Sequence, residues 1–204
     1  RRLAQFGHDG LAFGADPGTT SHLSVVDGSG NMVALTNTLM SLFGSKVVLP
    51  GLGLPMNNGM ISFDPRPDHP NGLRAGRRPL SNMCPMVASR DGRPWLALGA
   101  CGGRKIMPAV LQIASFMIDY GLPLEAAFHL PRIDASTGPV LCDERLDPAW
   151  IERLGTEFPV AVVQDGVYPG QFATPSAVAR DGAGRFTGMT RVSLPSAAAV
   201  APGA

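Results

Sequence analysis

The chain has 204 residues, 45% of them hydrophobic, with 17 basic against 16 acidic side chains. That apolar share can bury a core, so wholesale disorder is excluded, and the length allows one domain or two small ones. Gly (25) and Pro (19) exceed a fifth of the chain, which argues against a coiled coil or helical bundle, and a net charge of +1 without a basic block argues against a nucleic-acid footprint.

Residues 1–19 are Gly-rich, close on Gly14-Ala15-Asp16-Pro17-Gly18-Thr19, and read as a linker or tail. The chain opens on Arg1-Arg2-Leu3, with neither Met nor an apolar leader, and reads as the back part of a longer product. Residues 23–27 and 31–36 predict two strands around the turn Asp27-Gly28-Ser29-Gly30-Asn31. Residues 50–80, rich in Pro, Gly and Asn, predict a long irregular loop of the kind that carries function. A second hairpin is predicted at 84–89 and 95–99 around Arg90-Asp91-Gly92-Arg93. Residues 105–120 are apolar on nearly every face and predict a buried helix, with Pro108 in its first turn and Gly121 as its stop. A short helix follows at 123–129, and Asp147-Pro148 through Gly155 carries start and stop signals for a third. A third hairpin joins 175–180 to 185–191 through Asp181-Gly182-Ala183-Gly184. The tail 194–204, of Ala, Pro and Gly, is expected to fray. Three strand–Asp-Gly–strand units imply an antiparallel sheet, and the class is α+β with helices layered on it. No run of 18 apolar residues is present, so no helix is expected to span a membrane. Cys84, Cys101 and Cys142 are odd in number and lack CxxC spacing; they are expected to be buried, inert thiols.

The chemistry concentrates in an ordered set. It runs from Thr20-Ser21-His22-Leu23-Ser24-Val25-Val26-Asp27 through Gly30 to Thr38. Asn57-Asn58-Gly59, Arg78-Pro79-Leu80-Ser81-Asn82-Met83-Cys84-Pro85 and Gly99-Ala100-Cys101-Gly102-Gly103-Arg104 follow. The set continues with Ile118-Asp119-Tyr120-Gly121 and Pro131-Arg132. In order and spacing it resembles the small subunit of the γ-glutamyltranspeptidase family, well over 20–134 and weakly beyond. The resemblance implies an N-terminal-nucleophile hydrolase with an αββα four-layer sandwich, of which this chain supplies about half. It implies a linker or pre-cleavage tail at 1–19 and the small-subunit catalytic domain at 20–204. It also implies a precursor that cuts itself before Thr20, not Thr19, and pairs as a heterodimer with its large-subunit segment. No metal or cofactor is implied, nor a nucleic-acid or membrane partner; the expected ligand is a small-molecule amide.

Matched residue by residue, the resemblance makes Thr20 the nucleophile and Thr38 the residue that orients it. A Thr hydroxyl is a poor nucleophile at neutral pH, and a free α-amine of pKa about 7.7–8.0 on the same residue can take its proton. One hairpin joins Thr20 to Thr38, so the two can lie side by side. Gly102 and Gly103 match the oxyanion hole: adjacent glycines before a helix offer bare N–H groups. Ser81 and Asn82 fall where the family has a Ser-Ser pair for the substrate α-carboxylate. Three positions depart from the pattern. Met40, Gly59 and Ser62 stand where the family holds the glutamyl ammonium, so all three acceptors are replaced, and Asp64 is the nearest substitute acid. An acyl group without an α-ammonium, such as a glutaryl chain, suits Met40 and Gly59 better, because a buried ammonium lacking a partner is costly. Arg77, Arg78 and Arg104 are the local basic candidates, read as structural or surface groups, and His22 as a supporting residue. Two other readings stand beside an amidohydrolase or acyltransferase: an uncleaved, silent member acting as a binding or structural subunit, and a true γ-glutamyl enzyme that recognises its substrate through the large subunit. The compartment stays open.

Overall fold

The computed structural model describes residues 19–136, 138–166, 171–191, 194 and 196–201. Apart from Thr19, the expected linker at 1–19 lies outside them. In chain order the elements are β1 (Thr20–Val26), β2 (Met32–Thr38), β3 (Met86–Arg90), β4 (Arg93–Cys101), α1 (Ile106–Ile118) and α2 (Leu124–His129). Then come β5 (Ile133–Asp134), β6 (Val140–Asp143), α3 (Pro148–Gly155), β7 (Val160–Val163), β8 (Thr174–Arg180) and β9 (Phe186–Thr190).

All three predicted hairpins form, but they do not make one sheet. β3, β4, β8 and β9 build a four-stranded antiparallel sheet in that order. Among the described residues β1 and β2 pair only with each other, and they lie across β4 and β8. The alternation of side chains explains the split. In β1 the half-buried positions are Thr20, His22, Ser24 and Val26, while Leu23 and Val25 point away and stay about half exposed. β2 repeats this, with Val33 and Leu35 outward. The hairpin thus turns a mostly polar face to the larger sheet and an apolar face outward.

The other face of the four-stranded sheet carries the core. Leu96, Leu98 and Ala100 of β4 meet Ile106, Val110, Ile113 and Met117 of α1, with Leu124 and Ala127 of α2 closing one side. The layers therefore run helix, sheet, sheet. α1 ends where expected: Gly121 adopts φ +66° and the Leu122 N–H donates back to the Phe116 carbonyl. α3 starts on Asp147, whose carboxylate accepts from the Ala149 N–H at 2.9 Å.

Two features depart from the expected antiparallel pattern. β5, β6 and β7 form a further sheet in which β6 and β7 are parallel, joined by α3 as crossover. Strands of two to four residues leave too little alternation to read in advance. The tail does not fray throughout: Ala197 N–H donates to the Leu194 carbonyl, and Ala199 packs so closely on β9 that a Cβ at Gly188 would lie 3.0 Å from its methyl. The thiols differ from expectation too, since Cys142 alone is fully buried while Cys84 and Cys101 are half-buried; all three are free.

Candidate active site

The turn between β1 and β2 determines which residues face each other at the far end. Asp27 accepts from the Ser29 and Asn31 N–H groups at 2.9 Å each and from the Asn31 amide at 2.7 Å, and Gly30 takes φ +87°. Those bonds, the Asn31 side chain first, hold the Asp27 carboxyl below the ordinary carboxylate range. From Val26 opposite Met32 the ladder runs without a bulge to Thr20 opposite Thr38. There the Thr20 hydroxyl donates to Thr38 Oγ1 at 3.0 Å. Thr38 Oγ1 also accepts the Met40 N–H at 2.9 Å. Met40 reaches it from a left-handed conformation, φ +69°, which costs a residue with a Cβ about 1–3 kcal/mol.

His22, two residues along, lies between the sheets. Its Nδ1 is 2.8 Å from Thr36 Oγ1 and its Nε2 3.0 Å from Ser24 Oγ. Ser24 gives its own proton to the Ser176 carbonyl at 3.4 Å, so it accepts from Nε2–H, and Nδ1 accepts from Thr36. Burial lowers the His22 pKa, which keeps the ring neutral. The ring fits because residue 99 is Gly: a Cβ there would sit 2.1 Å from His22 Cε1. The Cys101 thiol, its pKa raised by burial, bonds to the His22 backbone. The end of β4 and the start of β1 therefore meet.

Gly102 and Gly103 follow Cys101 directly. They take φ +136° and +62° and lead through a tight turn, Gly103–Lys105, into α1. Gly102 is pressed from behind, since a Cβ on it would lie 2.8 Å from Ala173 Cα. Gly103 is open; the nearest atom to its missing Cβ is Asn82 Nδ2 at 4.0 Å. Asn82 thus lies beside the glycine pair. Ser81 is exposed and accepts the Met83 N–H at 3.1 Å, which shapes the turn.

The predicted long loop is irregular but tied down. Asn58 binds the β2 exit through its N–H to the Leu39 carbonyl at 2.9 Å and its amide to Ser41 Oγ at 3.2 Å. Gly59 and Ser62 bound a short 3-10 turn; the Gly59 N–H caps onto Asn57 Oδ1 at 2.8 Å, and the Ser62 carbonyl accepts from Asn71 at 2.6 Å. The substitute acid is not available. Arg66 grips both oxygens of Asp64 at 2.9 and 2.7 Å and holds its carboxyl well below the usual range. Arg77 braces the same loop by donating to the Pro70 carbonyl at 3.0 Å, the structural role expected of it. A cleft of about 580 Å³ beside Gly59 is lined by Met60, Phe63, Leu73, Arg74 and Arg77, with no acidic residue on its described walls. Another, of about 560 Å³, lies at the opposite end of the large sheet, between the 91–92 and 182–184 turns.

Asn58 belongs to the Asn57-Asn58-Gly59 motif, whereas Ala173 carries no mark in the sequence of its part in this arrangement. Asn58 acts through a loop contact 17 residues away, and Ala173 through one from a distant strand entry.

Known proteins resemble this chain in sequence and in fold. The acylase ACY 1 proenzyme of Pseudomonas sp. (strain SE83) is 36% identical over 141 residues, which are 69% of this chain but 25% of that protein. The chain thus spans about a quarter of that curated relative. Gamma-glutamyltranspeptidase from Pseudomonas nitroreducens, solved with L-DON, superimposes with a TM-score of 0.72 at 26% identity, over 89% of this chain and 99% of that one. Cephalosporin acylase from Bacillus halodurans gives 0.74 at 29% identity, over 84% of this chain and 32% of that one. The layers seen here are accordingly part of the αββα sandwich of N-terminal-nucleophile hydrolases. The sequence model of gamma-glutamyltranspeptidase matches residues 8–195, nearly the whole chain, and the chain belongs to that family.

Proposed function

We propose that this chain is the nucleophile-bearing part of an autoprocessed amidohydrolase or acyltransferase that takes an acyl group without an α-ammonium. The observation that carries the reading is the Thr20–Thr38 hydroxyl pair at 3.0 Å, beside the end of β4 that leads into the two left-handed glycines. Scission of the Thr19–Thr20 bond frees the Thr20 α-amine. Thr20 Oγ then attacks the amide carbonyl carbon, and its proton passes to that amine. The oxyanion is held by the N–H groups of the Gly102–Gly103 turn. Collapse breaks the C–N bond, and the amine leaves with the proton. Water, or an acceptor amine, attacks the resulting ester while the Thr20 amine takes its proton, and the hydroxyl is restored. Thr38 orients the nucleophile throughout, and Asn82 with Ser81 lies where a substrate carboxylate is bound.

Met40, Gly59 and Ser62 offer no side-chain carboxylate or amide, and Arg66 occupies Asp64. The adjoining cleft, with the apolar walls Met60, Phe63 and Leu73 and no acidic residue on its described lining, supports an acyl chain without an ammonium, such as glutaryl. The apolar outer face of β1 and β2 supports a covering segment from the same precursor, completing the four layers. The test uses mature enzyme made from the full precursor, with glutaryl and γ-glutamyl anilides. Glutaryl anilide is expected to be the better substrate, and Thr20→Ala to abolish both self-cleavage and turnover. Preference for γ-glutamyl anilide would overturn the acyl assignment; turnover by Thr20→Ala would overturn the mechanism.

A further inference from the structure

The peptide behind Gly102 is held in an unusual way. Three consecutive carbonyls are each bound by a different cationic side chain. Lys105 Nζ donates to the Gln171 carbonyl at 2.6 Å, Arg191 Nη1 to the Phe172 carbonyl at 3.1 Å, and Arg132 Nη2 to the Ala173 carbonyl at 3.3 Å. Both guanidiniums are almost wholly buried, Arg132 with 6% of its side chain exposed and Arg191 with 9%. Asp165 lies between them: it bonds Arg191 directly and is 3.8 Å from Arg132, and Arg191 Nη2 reaches the Gly166 carbonyl at 2.8 Å. The Phe172 ring lies 5.7 Å under the Arg132 guanidinium.

Burying two guanidiniums is costly, and such groups are poor stabilisers compared with well-packed apolar residues. Fixing an irregular peptide is a task apolar packing does badly, because carbonyls need donors. The peptide fixed here is the one packed against Gly102: Ala173 Cα lies 2.8 Å from where a Gly102 Cβ would be. Lys105 closes the circuit. Its backbone N–H donates to the Gly102 carbonyl at 3.2 Å while its ammonium holds Gln171, so one residue ties the turn to its support.

We infer that Lys105, Arg132 and Arg191, with Asp165 as counter-ion, are positioning residues that hold residues 171–173 against Gly102 and so aim the N–H groups of the Gly102–Gly103 turn. The inference rests on the proposed use of that turn as an oxyanion hole. None of the four touches the reacting atoms; they act through the backbone. Lys105 is the sensitive member, since it belongs to the turn itself.

The test compares mature wild-type enzyme with Lys105→Met, Lys105→Arg and Arg191→Lys, the last keeping the charge while losing the fork that serves two carbonyls. Two measurements are made: kcat and KM on glutaryl anilide, and amide hydrogen exchange of peptides covering 99–106 and 20–38. Lys105→Met is expected to lower kcat on the order of 10-fold to 100-fold, as a small misplacement does, with KM nearly unchanged. Lys105→Arg should recover most of the loss, and Arg191→Lys should show the same split. Exchange should quicken over 99–106 in Lys105→Met and Arg191→Lys but not over 20–38. Wild-type kcat and wild-type exchange in both variants would overturn the inference. So would equal quickening over both peptides, which marks general loosening. If the wild type turns over neither anilide, the proposed reaction fails, and the exchange comparison still decides whether the clamp exists.

Discussion

Gly102→Ala is the substitution whose effect the structure determines most closely. Gly102 takes φ +136°, a region that residues with a Cβ enter at a cost of about 1–3 kcal/mol. The added methyl would also lie 2.8 Å from Ala173 Cα and 3.0 Å from Ala173 Cβ. The first of these is backbone, which cannot rotate away, and the cationic grip on 171–173 prevents that peptide from retreating. The turn must therefore shift instead, and it carries the N–H groups proposed to hold the oxyanion. Losing one such donor costs about 3 kcal/mol, on the order of 100-fold in kcat or more. Gly103→Ala is the internal control. Its φ of +62° is the ordinary left-handed well, costing about 1–2 kcal/mol, and the nearest atom to its methyl is 4.0 Å away. The assay is steady-state kinetics on an acyl anilide together with thermal unfolding of mature enzyme. Gly102→Ala should lose kcat with little change in KM and melt lower, and Gly103→Ala should lose much less of both. Wild-type kcat in Gly102→Ala, or equal losses in the two variants, would refute the reasoning.

Thr38→Val keeps the shape of the side chain and removes the acceptor of both the Thr20 hydroxyl and the Met40 N–H. Gel electrophoresis should show slowed precursor cleavage, and kinetics a fall in kcat on the order of 100-fold. The His22 pKa is lowered from 6.5 in the folded state, so the unfolded chain binds a proton the folded one resists. Its contribution is complete above about pH 6.5 and lost as pH falls below it, so melting temperatures should drop on acidification, with a shallower slope in His22→Asn. Gly99→Ala would put a methyl within 2.1 Å of the His22 ring and should separate the hairpin from β4, lowering both the melting temperature and the yield of cleaved chain. Leu98→Ala, in the fully buried core between β4 and α1, should cost about 2–5 kcal/mol in a denaturant titration while leaving kcat of the folded fraction intact.

Much of the site is legible because it is local. The Asp27–Asn31 turn is legible because its bonds are all short in sequence, and the predicted strands 23–27 and 31–36 extend in the structure to bring Thr20 opposite Thr38. The stop of α1 at Gly121 and the start of α3 at Asp147 are local for the same reason. Asp64 shows the limit. Its position next to the replaced acceptors made it a candidate acid, and only the fold reveals that Arg66, two residues on, holds both its oxygens.

The sequence by itself determined the hairpins and the buried helix, since each depends on periodicity or turn chemistry within one unit, while the resemblance to the family singled out the threonine pair and the paired glycines. Tertiary structure alone decided that the hairpins divide between two sheets, that β6 and β7 run parallel, that Gly99 makes room for His22, and that Ala173 stands behind Gly102. His22 and Gly99 are 77 positions apart and Gly102 and Ala173 71, and no local preference encodes such contacts. They exist because the polar face of one hairpin packs on β4, where His22 and Ala173 make their close approaches at Gly99 and Gly102, residues without a side chain.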